Sequence, residues 1–180
     1  MRSWHSESNR DQPRFDREVL PHLDSAYNLA RWLAHSEHEA NSILRDAWQS
    51  ALENIDQLDA NGRLWILTIV RNTALAAMSS RSDDLGAIFF DDPDVFESTT
   101  TEASFMIAAD QDMVAKFITE LPLQFREVIV LRELEHLSYS EIAEVVGVPI
   151  GVVMARLHRA RQRLMQRLSD RVPEEHKLGL

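Results

Sequence analysis

Along the first eighty residues apolar side chains return every three or four positions. Val19, Leu20, Leu23, Tyr27, Ala30 and Leu33 line one face of an amphipathic helix, and Ala40, Ile43, Leu44, Ala47, Trp48, Ala51, Leu52 and Ile55 line a second. The turn-forming run Asp56-Gln-Leu-Asp-Ala-Asn-Gly62 interrupts this pattern. After it, Leu64, Trp65, Leu67, Thr68, Val70, Arg71 and Leu75 begin a helix that is apolar nearly all round. Such a helix is expected at the buried centre of a small bundle running from about Phe15 to Ser80.

From Ser79 to about Ala103 the periodicity dissolves into Ser-Ser-Arg-Ser-Asp-Asp, then Asp91-Asp-Pro-Asp and Glu97-Ser-Thr-Thr-Thr-Glu102. This is linker composition, too polar to bury the surface that ordering requires, although Ile88-Phe-Phe90 can dock on a neighbouring domain. A second helical block starts near Ser104 and reaches about Arg171. Phe117, Ile118, Leu121, Phe125, Val128, Ile129 and Leu131 supply two helices, with Pro122 at their joint.

The stretch from Leu137 to Leu164 then reads as two helices joined by a tight turn. Ser138 or Ser140 can cap the first, with Glu141 completing a capping box to Ser138. Ile142, Val145 and Val146 form its apolar stripe. Gly147 suits the left-handed residue that ends it, and Pro149 suits the first turn of the next. In the second helix Val153, Leu157, Ala160, Leu164 and Leu168 face inward. Met154, Ala155, His158, Arg159 and Gln162 therefore face out, with Arg156, Arg161, Arg163 and Arg167 beside them, within reach of phosphates. This is a helix-turn-helix pattern, and the outer strip is the surface that would enter a major groove.

The fold class is thus all-α: two small helical domains on a flexible acidic linker, the C-terminal one with a helix-turn-helix. The expected boundaries are a tail at 1–14, a helical domain at 15–80, the linker at 81–103, the second domain at 104–171 and a tail at 172–180. A hydrophobic content of 44% in 180 residues suffices for one moderate core or two small ones. The net charge of −10 opposes DNA binding until it is divided along the chain. Residues 1–80 carry −3, 81–117 carry −7 and 118–180 are neutral, while Arg156 to Arg171 holds six arginines against Asp170 alone. There is no cysteine, hence no disulfide and no thiol chemistry. No signal peptide or membrane span is visible, and a cytoplasmic protein without direct membrane insertion is expected.

Other candidate chemistry is weak. His35 and His38 lie a turn apart but lack a third ligand, so an exposed helix end is expected rather than a metal site. Asp83, Asp84, Asp91, Asp92 and Asp94 lack the ligand spacing of a calcium loop. Trp48 and Trp65 sit on apolar faces and are expected to pack rather than stack on bases. No nucleophile and base arrangement, phosphate-binding glycine loop or cofactor motif is present, so neither an enzyme nor a cofactor is expected.

The run from Leu121-Pro-Leu-Gln-Phe-Arg-Glu through Ser138-Tyr-Ser-Glu-Ile-Ala to Arg156-Leu-His-Arg-Ala-Arg161 closely resembles region 4 of bacterial extracytoplasmic-function sigma factors. Ala40-Asn-Ser-Ile-Leu-Arg-Asp-Ala-Trp48 stands where the polymerase-binding helix of region 2 would be, and Gly62 to Leu75 where the promoter-melting helix would be. The resemblance implies a protein that binds core RNA polymerase and directs it to promoter DNA under the control of an anti-sigma factor. It sets Asn41, Leu44, Arg45, Asp46 and Trp48 toward polymerase. The upstream element would meet Met154, Ala155, Arg156, His158, Arg159, Arg161, Gln162 and Arg163. The melted downstream element would meet Asp59, Asn61, Arg63, Arg71 and Asn72, where a bundle-bracing role competes for the last two. Three places depart from the family pattern: Asn41 and Ser42 replace acidic residues, Ala74 to Ser80 is uncharged, and Val152 and Met154 replace polar residues. The departures in region 2 keep open a decoy that binds an anti-sigma factor without supporting transcription, and a dimeric helix-turn-helix repressor is a further alternative.

Overall fold

A computed structural model describes residues 8–58, 61–79 and 111–169, and in these the chain is helical throughout. Helix α1 (Ser8–Glu18) begins inside the segment expected as a tail. The periodicity from Val19 to Leu33 predicts one helix, but the chain makes a single 3-10 turn at Leu20–His22 before α2 (Leu23–Leu33). Pro21 is the reason, since its ring fixes φ and it has no N–H to continue an α-helical ladder. Helix α3 (Glu37–Glu53) starts at Ser36, whose hydroxyl accepts the Glu39 N–H at 3.2 Å, while the Glu39 carboxylate accepts the His35 N–H at 3.0 Å. His35 and His38 stand exposed around this cap.

Helix α4 (Gly62–Ser79) is the centre that its apolar circumference predicts. Leu64, Ile66, Leu67, Val70 and Ala74 are buried, and the helix packs on α2 and α3 along one side and on α7 along another. Its first residue must be glycine because a Cβ at Gly62 would lie 1.8 Å from the Glu18 carbonyl oxygen at the end of α1. The acidic segment, with Asp83, Asp84, Asp91, Asp92, Asp94 and Ile88 to Phe90, falls outside the described residues.

The second half comprises α5 (Gln111–Glu120), α6 (Leu123–Ile129), a π-helical turn (Val130–Leu134), α7 (Tyr139–Val146) and α8 (Ile150–Ser169). Pro122 occupies the cap position of α6, as its place in the sequence predicts. The two halves are not separate bodies in this structure. One apolar core runs from Leu29, Leu33, Ile43, Ile66 and Val70 into Val128, Leu131, Leu137 and Ile142, across a seam where α2 meets α6 and α4 meets α7. Each fully buried Leu or Ile contributes roughly 1.5–3 kcal/mol, so the seam is part of what holds the arrangement.

Candidate nucleic-acid interface

The helix-turn-helix forms through local chemistry. The Ser138 hydroxyl accepts the Glu141 N–H at 3.3 Å and the Glu141 carboxylate accepts the Ser138 N–H at 2.8 Å, which closes a full capping box on α7. Hydrogen bonds from the Ser138 hydroxyl and backbone N–H hold the Glu141 carboxyl below the ordinary range. At the other end Gly147 takes φ of 71°, and its N–H reaches the Ala143 carbonyl at 2.9 Å. The turn thus sets α8 across α7 and α6.

On α8 the side chains divide as the spacing predicts. Val153, Leu157 and Ala160 are buried, whereas Ile150, Met154 and Gln162 are exposed and Ala155, His158 and Arg159 are half-buried on the outer side. The arginines divide differently. Arg156, expected beside the strip and toward phosphates, is 8% exposed and points inward, with its Nη1 donating to Glu127 Oε1 at 3.3 Å. The correction is geometric: a residue three after Val153 and one before Leu157 lies at the edge of the buried face. Arg161 pairs with Glu133 at 2.7 Å, Arg163 lies over the Phe125 ring at 4.8 Å, and Arg167 pairs with Glu120 at 2.9 Å on the surface.

Of the residues expected on melted DNA, Arg63 and Arg71 lie at the seam. Arg71 clasps Glu127 through Nε at 2.7 Å and Nη2 at 3.4 Å, so this one carboxylate holds an arginine from each half of the molecule. Burial pushes the Glu127 carboxyl up, against the hydrogen bond and charge of Arg71 and the charge of Arg156. Two turns earlier on α4, Arg63 donates to the Glu135 carbonyl at 2.7 Å and to its carboxylate at 3.0 Å. Asn28 of α2 donates to the other Glu135 oxygen at 2.6 Å. A third tie is Arg126, whose guanidinium reaches the Trp32 carbonyl at 3.4 Å. Asn61 caps α4 by accepting the Leu64 N–H at 3.2 Å. Asn72 is exposed, with its side-chain oxygen 3.4 Å from Arg71 Nη1. Asp59 lies outside the described residues.

Sequence reasoning missed Glu127, Glu135 and Asn28. The signal for the first was present in Phe125-Arg-Glu-Val-Ile-Val-Leu131, where a charged pair interrupts an apolar run and so must be buried with partners. The face expected to meet polymerase is on α3. Asn41, Arg45 and Asp46 are exposed, with Arg45 and Asp46 paired at 3.8 Å, while Leu44 and Trp48 pack partly against the core. Trp48 meets Phe15 edge to face at 4.7 Å between centroids. Among the described residues no helix is long and apolar enough to cross a membrane, and no three His, Asp or Glu side chains are grouped to hold a metal.

Comparison with known proteins gives two family matches in order along the chain. A family model described as Sigma-70 region 2 matches residues 19–83, and one described as Sigma-70, region 4 matches residues 111–164. The chain is 30% identical over 175 residues to the ECF RNA polymerase sigma factor SigW of Bacillus subtilis, covering 89% of this chain and 91% of that protein. It is 31% identical over 163 residues to the ECF RNA polymerase sigma-E factor of Escherichia coli K12, covering 84% of this chain and 85% of that protein. Among solved structures, the sigma factor RpoE of Bartonella quintana, crystallised with the anti-sigma factor NepR, superposes with a TM-score of 0.67 at 26% identity, over 87% of this chain and 97% of that one.

Proposed function

The chain belongs to the family of ECF RNA polymerase sigma factors, transcription initiation factors rather than enzymes, and from that premise we propose how its surfaces divide the work. The outer strip of α8, with Met154, Ala155, His158, Arg159 and Gln162, meets the upstream promoter element as duplex, and Arg161 and Arg163 flank it toward phosphates. Arg156 acts from beneath by fixing the helix to Glu127. Asn41, Leu44, Arg45, Asp46 and Trp48 on α3 face core polymerase. Arg63, Arg71 and Asn72 on α4, with Asp59 and Asn61 before them, serve the melted downstream element. Because Arg63 and Arg71 are held by Glu135 and Glu127, that role requires the seam to open first. An anti-sigma factor would hold the closed arrangement, and the protein works in the cytoplasm; the similar RpoE of Bartonella quintana was crystallised in complex with the anti-sigma factor NepR.

The observation that carries this reading is a helix-turn-helix whose first helix is capped at both ends and whose second keeps Ile150, Met154 and Gln162 exposed. Runoff transcription with core polymerase on a promoter library tests it. Arg159→Ala is expected to lower cognate transcripts about tenfold or more with core binding unchanged. Equal loss of both would contradict the assignment. The decoy reading keeps one observation in its favour, the neutral Asn41 and Ser42 on the α3 face. It predicts no capture by core polymerase in a pull-down. The match to region 2 over residues 19–83 fills the place that a repressor's ligand-sensing or dimerising domain would need.

A further inference from the structure

The first turns of α8 have an unusual chemistry for a surface that reads sequence. From Ile150 to Ala155 the residues are Ile-Gly-Val-Val-Met-Ala, and none of these side chains carries an N–H or an O–H. Ile150 is 47% and Met154 37% exposed, whereas Val153 between them is fully buried, so the helix cannot turn to hide the apolar pair without exposing its core face. The first polar side chain in the helix, Arg156, is committed inward to Glu127. Gly151 has nothing within 4 Å of the place a Cβ would occupy, so no internal contact demands glycine there, and its bare backbone lets the helix approach a groove closely.

In a helix-turn-helix the N-terminal residues of the second helix meet base edges in the major groove. Guanine, adenine and cytosine are distinguished there by hydrogen-bonding groups, which Ile150 and Met154 cannot engage. Thymine also presents a 5-methyl group, which an apolar side chain can cover. We propose that Ile150 and Met154 are specificity-determining residues that read the upstream element through thymine 5-methyl groups, by apolar contact in place of hydrogen bonds. The inference rests on α8 being the duplex-reading helix. A methyl on cytosine offers the same chemistry, so the test must separate the two sources.

The experiment uses the full chain with core polymerase. A promoter is first selected from a random library by runoff transcription. Duplexes are then made with deoxyuridine for thymidine, one position at a time across the upstream element, and in parallel with 5-methylcytosine for each cytosine. At one or two thymines, loss of the methyl is expected to weaken binding about fourfold, the value of one buried carbon. Met154→Ala and Ile150→Ala are each expected to abolish the thymine and uracil distinction at one position, while the helical content and melting temperature of these exposed-site variants stay near wild type. Uracil accepted at every position would overturn the proposal, as would variants that preserve the distinction. Tightening by 5-methylcytosine with indifference to thymine would overturn the thymine assignment. If no promoter is selected at all, the sigma-factor assignment of α8 fails and this inference falls with it, a result distinct from a selected promoter that ignores the methyl group.

Discussion

Helices α8 and α4 are the two proposed to meet DNA, and the structure presents them in opposite ways. On α8, Met154 and Gln162 of the strip are exposed and Ala155, His158 and Arg159 are half-buried, while the neighbouring arginines are fastened inward or sideways to Glu127, Glu133 and Phe125. On α4 the cationic residues themselves are sheathed, with Arg71 on Glu127 and Arg63 on Glu135. On the proposed reading, Ile150, Met154 and Gln162 are already exposed to meet a duplex, whereas Arg63 and Arg71 must exchange protein carboxylates for phosphates. Both anions wanted by α4 come from the half that carries α8. On the proposed reading, domain closure and downstream DNA contact therefore compete for the same guanidinium groups.

That contrast can be broken most severely at Glu127. Glu127→Ala would leave Arg71 and Arg156 buried without their carboxylate, and removing one partner of such a pair typically costs about 3–5 kcal/mol. Urea unfolding is expected to show a loss of this size, and a loss under about 1 kcal/mol would mean that water already serves the two guanidiniums. Glu135→Gln is gentler. Its bond from Asn28 survives, and Arg63 is 33% exposed, so solvent screening reduces the loss of the ion pair to about 1 kcal/mol. The urea midpoint should fall, with the slope unchanged. A third change isolates the first helix of the helix-turn-helix. Glu141 has a depressed carboxyl pKa in the folded state, so its stabilisation of the helix-turn-helix is present above the unfolded value of about 4.3 and is lost as pH falls through the lower folded value. Melting temperatures of wild type and Glu141→Gln should differ at pH 6 and converge toward pH 3. Parallel curves across that range would contradict the capping role.

Much of this architecture was legible because it is set locally. The three- and four-residue apolar steps marked α3, α4 and the two helices before the helix-turn-helix, while Ser138, Glu141 and Gly147 announced the caps of α7 through their own side-chain and backbone chemistry. Pro21 was equally visible, yet the periodicity running across it concealed the break between α1 and α2. The tertiary destination of charges was harder to read. Helical spacing places Arg156 near the groove face to within one position, but whether it turns out or in depends on Glu127, 29 residues away in sequence. Arg63 and Arg71 illustrate the same limit more strongly, since their partners are 72 and 56 residues distant. A periodic pattern specifies which face of a helix is apolar. It does not specify which arginine finds a carboxylate.

The absence of cysteine allows the central claim to be measured directly, because two introduced thiols can be labelled without competition. Exposed Gln49 on α3 and exposed Gln166 on α8, outside the strip proposed to meet DNA, report the distance between the halves. In the free protein one short distance population is expected, and in the complex with core polymerase and promoter DNA it should be replaced by a longer one as Arg63 and Arg71 leave their carboxylates. An unchanged distance in a complex that produces transcript would contradict the account.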